Sequence, residues 1–198
     1  ISDRLFEKQR QLVLPNLHGL MVFVLIGAGL LGSLALFVLL PGQSLLYRLL
    51  MLAGFTLLCG VWVLTVLLSG MKRYKAIVAL FGLSYGLIVA ASLWMRAWGL
   101  EGLLGGFVLG HYVLLAGMWL LVVKEFSPAR RLVAFDFLQR DKLYPSLIAI
   151  GFLYNLGIWA DKFMFWFFPP TSDEIIGSLR ASLIYDLPVF LSYLSIIP

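Results

Sequence analysis

The chain has 198 residues, of which 62% are hydrophobic and only 13% are charged. Soluble domains average about 45–50% apolar and about 25% charged residues, so this composition excludes an ordinary soluble globular protein. The net charge of +5 does not indicate nucleic-acid binding, because Lys and Arg lie almost wholly between apolar segments. The single cysteine, Cys59, excludes an internal disulfide framework and a cysteine-rich metal site.

Six apolar segments follow one another along the chain. A hydrocarbon core about 30 Å thick requires roughly 20 helical residues, and lipid offers backbone polar groups no hydrogen-bond partner other than the helix itself. The fold class is therefore predicted to be all-α, a polytopic transmembrane helix bundle. The six predicted spans are Leu17–Leu40, Tyr47–Ser69, Ala76–Trp98, Leu103–Val123, Pro145–Phe168 and Leu183–Pro198.

The order of these segments predicts the organisation of the chain. We expect an N-terminal segment over 1–16, four transmembrane helices over 17–123, a linker over 124–144 and two further helices over 145–198. The chain begins with Ile1 and stops inside an apolar run at Pro198. A fragment of a longer protein is therefore expected.

The distribution of basic residues predicts the orientation. Eleven Lys and Arg residues lie in the N-terminal segment, the 71–75 connection and the 124–144 connection, whereas only three lie on the opposite side. The positive-inside rule then places the N-terminus and both connections in the cytoplasm. The expected partner or lipid surface on this side consists of Lys72, Arg73, Lys75, Arg130, Arg131, Arg140 and Lys142.

The 124–144 linker contains a helical pattern. Ser127-Pro128 is typical of a helix start, and Leu132, Phe135 and Leu138 recur at helical spacing. Basic residues flank this pattern, so it predicts a short amphipathic helix on the anionic inner leaflet. An ordinary basic loop is the alternative, because the positive-inside rule alone explains the charge.

Glycines at intervals of four predict how the spans pack. Gly102, Gly106 and Gly110 form a ladder on span four, and Gly82 and Gly86 form a shorter one on span three. Helices without Cβ atoms at these positions approach closely, which is how helices associate in lipid.

Span five carries Asp161 and Lys162 within an apolar helix. An ionised side chain costs about 2.5–3.5 kcal/mol in the bilayer centre, so both groups need partners or water. We predict that this flank faces a cavity that takes substrate. Two other interpretations remain open: Lys162 snorkels outward, or Asp161 is a structural partner of another span. The predicted substrate-path residues are Tyr154, Asn155, Trp159, Asp161, Lys162, His111 and Asp186.

Motifs for catalysis are missing from the sequence. It contains no HExxH, no GxSxG and no glycine-rich phosphate loop. Two histidines and one cysteine in separate segments make a metal site improbable. We therefore expect no enzyme activity, no cofactor and no bound metal.

Four segments carry a resemblance to a known family: Ile1–Glu7, Gly70–Ala76, Lys124–Phe126 and Asn155–Lys162. They resemble the PelG family of inner-membrane transporters of the bacterial Pel exopolysaccharide system, which belongs to the flippase superfamily of multidrug and oligosaccharide-lipid exporters. The resemblance covers essentially the whole chain.

The resemblance implies a parent protein of about twelve spans in two lobes around a central cavity. These six spans would be the third to the eighth, and 124–144 would link the lobes. It also implies a polysaccharide cargo rich in amino sugars, biofilm formation, and partners that include a cytosolic glycosyltransferase and other Pel membrane proteins.

Two functions compete with transport. A membrane scaffold would anchor and activate a synthase complex without moving cargo, and its basic surfaces would matter more than the polar residues of span five. An intramembrane transferase would need a catalytic constellation that the sequence lacks.

Overall fold

The computed structural model describes residues 10–126, 131–139 and 144–196. The chain divides into two compact units, one formed by 1–38 with 43–142 and the other by 39–42 with 143–198. The helices of the first unit are α1 (Val13–Leu39), α2 (Leu45–Gly70), α3 (Tyr74–Met95) and α4 (Gly99–Glu125). The second unit contains α5 (Pro145–Phe167), β1 (Asp173–Ile176), β2 (Leu179–Ala181) and α6 (Leu183–Ile196).

Four apolar stretches of the described chain are long enough to cross a membrane: Val13–Leu39, Leu45–Gly70, Tyr74–Glu125 and Pro145–Phe167. The third is 52 residues long and contains both α3 and α4. A short 3₁₀ turn, Arg96–Trp98, and the left-handed backbone of Gly99 (φ 67°) separate these two helices. An uninterrupted helix of that length would measure about 78 Å, well over twice the thickness of a bilayer core.

The sixth predicted span is not confirmed. Helix α6 has 14 residues, and its apolar part, Leu183–Ser192, is shorter than a bilayer requires. The helix continues through Pro188. Residues 197 and 198 lie outside the described part of the chain.

Local sequence signals explain where helices begin and end. The Ser44 hydroxyl accepts a hydrogen bond from the Tyr47 N–H (3.0 Å), which caps the start of α2. Helix α1 ends two residues before Pro41, and α5 begins at Pro145, where a missing N–H costs nothing. These boundaries agree with the predicted spans to within a few residues.

Helix α4 packs against both α2 and α3, and its apolar side chains fill the core of the first unit. Leu114, Met118 and Val122 of α4 are fully buried there together with Leu64 of α2 and Leu17 of α1. Burial of such side chains contributes by close packing, since lipid tails are as apolar as the side chains themselves.

The glycine ladder of α4 is confirmed as a contact surface for α3. A Cβ atom at Gly106 would overlap the backbone and hydroxyl of Ser92, and one at Gly110 would overlap the side chain of Ile88. The ladder of α3 is different: nothing in the described chain lies within 4 Å of the positions that Cβ atoms would take at Gly82 and Gly86.

The linker does not form the predicted amphipathic helix over its described part, 131–139. Only the 3₁₀ turn Asp136–Leu138 is helical, and Ser127-Pro128 lies outside the described residues. The segment instead packs on α1, because three polar contacts hold it there. The N–H of Ala134 donates to the Pro15 carbonyl (2.9 Å), and His18 Nδ1 donates to the Leu132 carbonyl (2.7 Å).

The third contact is reciprocal. Asn16 Nδ2 donates to Asp136 Oδ2 (3.1 Å), and the Asp136 N–H donates to Asn16 Oδ1 (2.9 Å). Gly19 leaves room for the segment, because a Cβ atom there would overlap the Ala134 carbonyl. The His18 ring also stacks on Trp119 of α4, with centroids 4.8 Å apart.

A β-hairpin, which the sequence did not predict, occupies the connection between α5 and α6. Strands β1 and β2 are antiparallel, with Glu174 opposite Arg180, and Gly177 (φ 56°) forms the turn. The Ser178 hydroxyl donates to the Leu39 carbonyl (2.9 Å), so the hairpin also holds the 39–42 segment of its own unit.

Replacing Gly106 tests the contact between α3 and α4. Gly106→Leu should destabilise the protein by about 3 kcal/mol, because the new side chain would displace the backbone of Ser92. The thermal unfolding temperature of the purified protein in detergent measures this loss. Gly82→Leu is the matched control and should stay within about 0.5 kcal/mol of the parent. Equal unfolding temperatures for both variants would contradict the packing.

Replacing Asn16 tests how the linker is held. Asn16→Leu removes both side-chain hydrogen bonds to Asp136 and should cost about 1–3 kcal/mol of local stability. Hydrogen exchange of residues 131–139 should then accelerate. Asp136→Asn keeps an acceptor oxygen and should preserve most of the protection. If neither variant changed the exchange rate, the linker would not depend on this pair.

Candidate functional site

Helix α5 presents a stripe of polar and aromatic side chains. Asn155, Trp159, Lys162, Phe163 and Trp166 occur at intervals of four, three, one and three residues, so they share one face of the helix. We call these five residues the α5 stripe. None of the side chains of α5 is buried within the described chain. The stripe extends over twelve residues, about 16 Å along the helix axis.

The aromatic members of the α5 stripe contact one another. The ring centroids of Trp159 and Phe163 are 6.2 Å apart, and those of Phe163 and Trp166 are 6.4 Å apart in an edge-to-face arrangement. These separations are within the range in which aromatic pairs attract. The rings therefore form a continuous surface along the helix.

The ammonium group of Lys162 lies against this aromatic surface. Its Nζ lies 4.3 Å from the centroid of the Trp159 ring, a distance at which an ammonium group is attracted to the face of an indole. The side chain is half-buried and has no ion pair with any described residue. A cation held over an exposed aromatic ring is available to a ligand that approaches the same face.

Asp161 has different partners from Lys162. Its carboxylate accepts a hydrogen bond from the Tyr185 hydroxyl of α6 and another from the Lys162 N–H (2.9 Å). Phe165, one turn further along α5, stacks on the Tyr185 ring with centroids 4.6 Å apart. Asp161 therefore lies on the side of α5 that packs against α6, while Lys162 lies on the α5 stripe.

Asp186 of α6 accepts a hydrogen bond from Trp166, the last residue of the α5 stripe. Both of its carboxylate oxygens accept the Trp166 indole N–H (3.2 and 3.0 Å), and one also accepts the Ser182 N–H (2.9 Å). The hydrogen bond from the Ser182 N–H to Asp186 resembles a capping box, in which an acidic side chain reaches back to the first N–H groups of its helix. Asp186 thus fixes the orientation of Trp166.

The hairpin holds Trp166 from its backbone side. Arg180 Nε donates to the Trp166 carbonyl (3.1 Å) and to the Ser172 hydroxyl (2.5 Å). Next to this junction lies a cavity of about 470 Å³ lined by Met164, Phe165, Phe167, Phe168 and Thr171. The end of α5 is therefore hydrogen-bonded to the hairpin and rich in aromatic side chains.

The remaining predicted path residues have local partners. Tyr154 is exposed, and Asn155 Nδ2 donates to the Gly151 carbonyl of its own helix (2.8 Å). His111 is 1% exposed in the core of the first unit. Its Nδ1 lies 2.9 Å from the Phe107 carbonyl, and its ring contacts the rings of Phe107 and Tyr85. These contacts are typical of a core histidine.

The predicted basic surface is partly neutralised. Arg73 forms an ion pair with Glu125 at the end of α4, whereas Lys72 and Lys75 are exposed. Arg131 is exposed as well, and Arg130, Arg140 and Lys142 lie outside the described residues. Among the described residues, no three His, Cys, Asp or Glu side chains come together as metal ligands.

The fold and the site together define a class: an α-helical membrane protein with several apolar helices and an exposed polar and aromatic stripe on one of them. All 198 residues match the model of the PelG family, described as "Putative exopolysaccharide Exporter (EPS-E)". The chain belongs to this family, which confirms the resemblance seen in the sequence. No curated protein and no solved structure matches the chain.

Three residues that hold the site together are not among the site residues predicted from the sequence: Trp166, Arg180 and Tyr185. Only the spacing of Trp159, Lys162 and Trp166 at helical intervals was available as a signal. The contacts of Tyr185 and Arg180 depend on how the chain folds back after α5.

Replacing Tyr185 tests whether Asp161 serves as an acceptor that joins two helices. Tyr185→Phe removes the hydroxyl donor and should lower stability by about 1 kcal/mol. Asp161→Asn keeps an acceptor oxygen and should unfold close to the parental temperature. Thermal unfolding in detergent compares the two. A larger loss for Asp161→Asn than for Tyr185→Phe would show that the charge, rather than the hydrogen bond, stabilises the helix pair.

Proposed function

We propose that this chain is part of an exporter that moves polysaccharide across the bacterial inner membrane by a flippase-like mechanism, with the α5 stripe in contact with the sugar chain. The family match supports polysaccharide as the cargo. A cytosolic glycosyltransferase would supply the polymer, and other membrane proteins of the same system would complete the export complex. The product would serve in biofilm formation.

The single observation that carries the proposal is the cation held over an exposed indole. Lys162 and Trp159 offer a charge and a flat apolar face at one place on a membrane helix, and no described residue pairs with that charge. A sugar ring has apolar C–H faces and polar edges, so aromatic rings bind its faces while amide and charged groups bind its hydroxyls. The α5 stripe supplies both kinds of group.

Amide and aromatic side chains occupy different parts of the α5 stripe. Asn155, near the middle of the helix, offers an amide for sugar hydroxyls, and Phe163 and Trp166 offer stacking surfaces toward the hairpin. Asp161, beside the stripe, is exposed, and it would attract cationic amino groups of an amino-sugar polymer. Repeated weak contacts of this kind allow a polymer to advance without being trapped, as in other conduction pathways.

We further propose that the parent has about twelve spans in two lobes, with the 124–144 segment as the cytoplasmic link between them. Movement of one lobe against the other would expose the α5 stripe to the two sides of the membrane in turn. The excess of Lys and Arg in the N-terminal segment and in the 71–75 and 124–144 connections supports this orientation.

Three variants of the full-length exporter test the proposal. Trp159→Ala, Lys162→Ala and Asp161→Asn should each reduce exported polysaccharide about tenfold, because roughly 1.4 kcal/mol of contact energy is lost at one position of the path. The measurement is secreted polymer per cell, at equal abundance of the exporter in the membrane.

Trp62→Ala is the matched control, because Trp62 is 70% exposed on α2, a helix of the first unit, and is not one of the predicted path residues. It should export at the parental level. The scaffold alternative predicts that all four variants export normally as long as the complex with the glycosyltransferase is retained by co-purification. That outcome would overturn a transport role for α5.

A further inference from the structure

A groove in the first unit is separate from the α5 stripe and has its own chemistry. It lies between α2 and α4, near the turn that joins α3 to α4. Two adjoining cavities of about 540 and 340 Å³ form it, and both are lined by Leu50, Met95 and Gly105. Because they share these residues, they form one continuous groove. Each volume is in the range of about 300–1,000 Å³ that ligand pockets usually have.

The groove has the length of one bilayer leaflet. On α2 it extends from Leu46 to Leu57, which is twelve residues or about 16 Å of helix. On α4 it extends over a similar distance, from Glu101 to Tyr112. Half of a hydrocarbon core about 30 Å thick is about 15 Å. One acyl chain that spans a single leaflet therefore matches the groove from end to end.

The walls of the groove are apolar, and its width depends on a glycine. Apart from Glu101, Thr56 and Tyr112, its lining consists of aliphatic, Met, Trp and Gly residues. Gly105 faces Met95, and a Cβ atom at Gly105 would lie 2.9 Å from the terminal methyl of Met95. The absence of a side chain at Gly105 keeps the groove open between the two helices.

The end of the groove next to the Arg96–Trp98 turn carries an acidic lining residue, and a basic residue stands in the turn itself. Trp98 and Glu101 line this end, and the Glu101 carboxylate accepts a hydrogen bond from the Ser44 hydroxyl. Arg96 directly follows the lining residue Met95 and is exposed, and its guanidinium makes no hydrogen bond or ion pair with a described residue. Trp and Arg are typical of the headgroup level of a membrane.

We propose that this groove binds a phospholipid with a zwitterionic headgroup, a phosphatidylethanolamine, with one acyl chain between α2 and α4. The lipid phosphate would pair with the Arg96 guanidinium, and the ammonium group would donate to the Glu101 carboxylate. An anionic lipid matches only Arg96 and meets repulsion from Glu101. The charges of Arg96 and Glu101 therefore select the headgroup, and the length of the groove selects the acyl chain.

Reconstitution of the full-length exporter tests this site. The purified protein is placed in nanodiscs with equal amounts of phosphatidylethanolamine and phosphatidylglycerol, then extracted and analysed by native mass spectrometry. The parent should retain a single phosphatidylethanolamine. Gly105→Leu fills the groove and should lower retention about tenfold. Gly82→Leu introduces the same side chain where nothing lies within 4 Å, and it should retain lipid like the parent.

The headgroup half of the site has its own variant. Arg96→Gln, at an exposed turn, should reduce the preference for phosphatidylethanolamine over phosphatidylglycerol about tenfold even if Gly105→Leu does not fold. Equal retention of both lipids by the parent would indicate unspecific annular lipid and overturn the proposal. Retention unaffected by Arg96→Gln, or a cross-link between the groove and another protein helix, would overturn it as well.

Discussion

The constraint on which this structure depends is that a bilayer offers no hydrogen-bond partner to a polar group. Every backbone N–H and C=O inside the hydrocarbon must be satisfied within the protein, so the apolar stretches form helices. The same constraint applies to side chains. Asn155 donates to its own helix, Asp161 accepts from Tyr185, and Asp186 accepts from Trp166. These three polar residues are thus tolerated because the fold supplies partners for them.

Close approach of helices replaces the hydrophobic effect as the source of packing specificity. Gly106 and Gly110 allow α4 to contact the backbone of α3, and Gly19 allows the linker carbonyl at Ala134 to contact α1. The linker is held by polar contacts at Pro15, Asn16 and His18. Residues 131–139 of the linker are therefore attached to the first helix of their unit.

The two proposed sites differ in the side chains that they offer a ligand. On α5, charged and aromatic side chains remain accessible because none is buried by its own unit, which suits a polymer that must pass. Between α2 and α4, a missing side chain at Gly105 leaves an apolar groove with charged residues near one end, which suits a ligand that stays.

Hydropathy alone determined that the chain is a helical membrane protein and where five of its helices lie. The spacing of the glycines of α4 determined that they pack against another helix. Each of these depends on residue type at short spacing, which sequence displays directly. Residues Asn155–Lys162 also pointed to the family. The tertiary structure decided the rest. Residues 131–139 contact Asn16 instead of forming the predicted linker helix, and the hairpin between α5 and α6 was not predicted. Those outcomes depend on partners more than a hundred residues away or across a turn, and no local pattern encodes them.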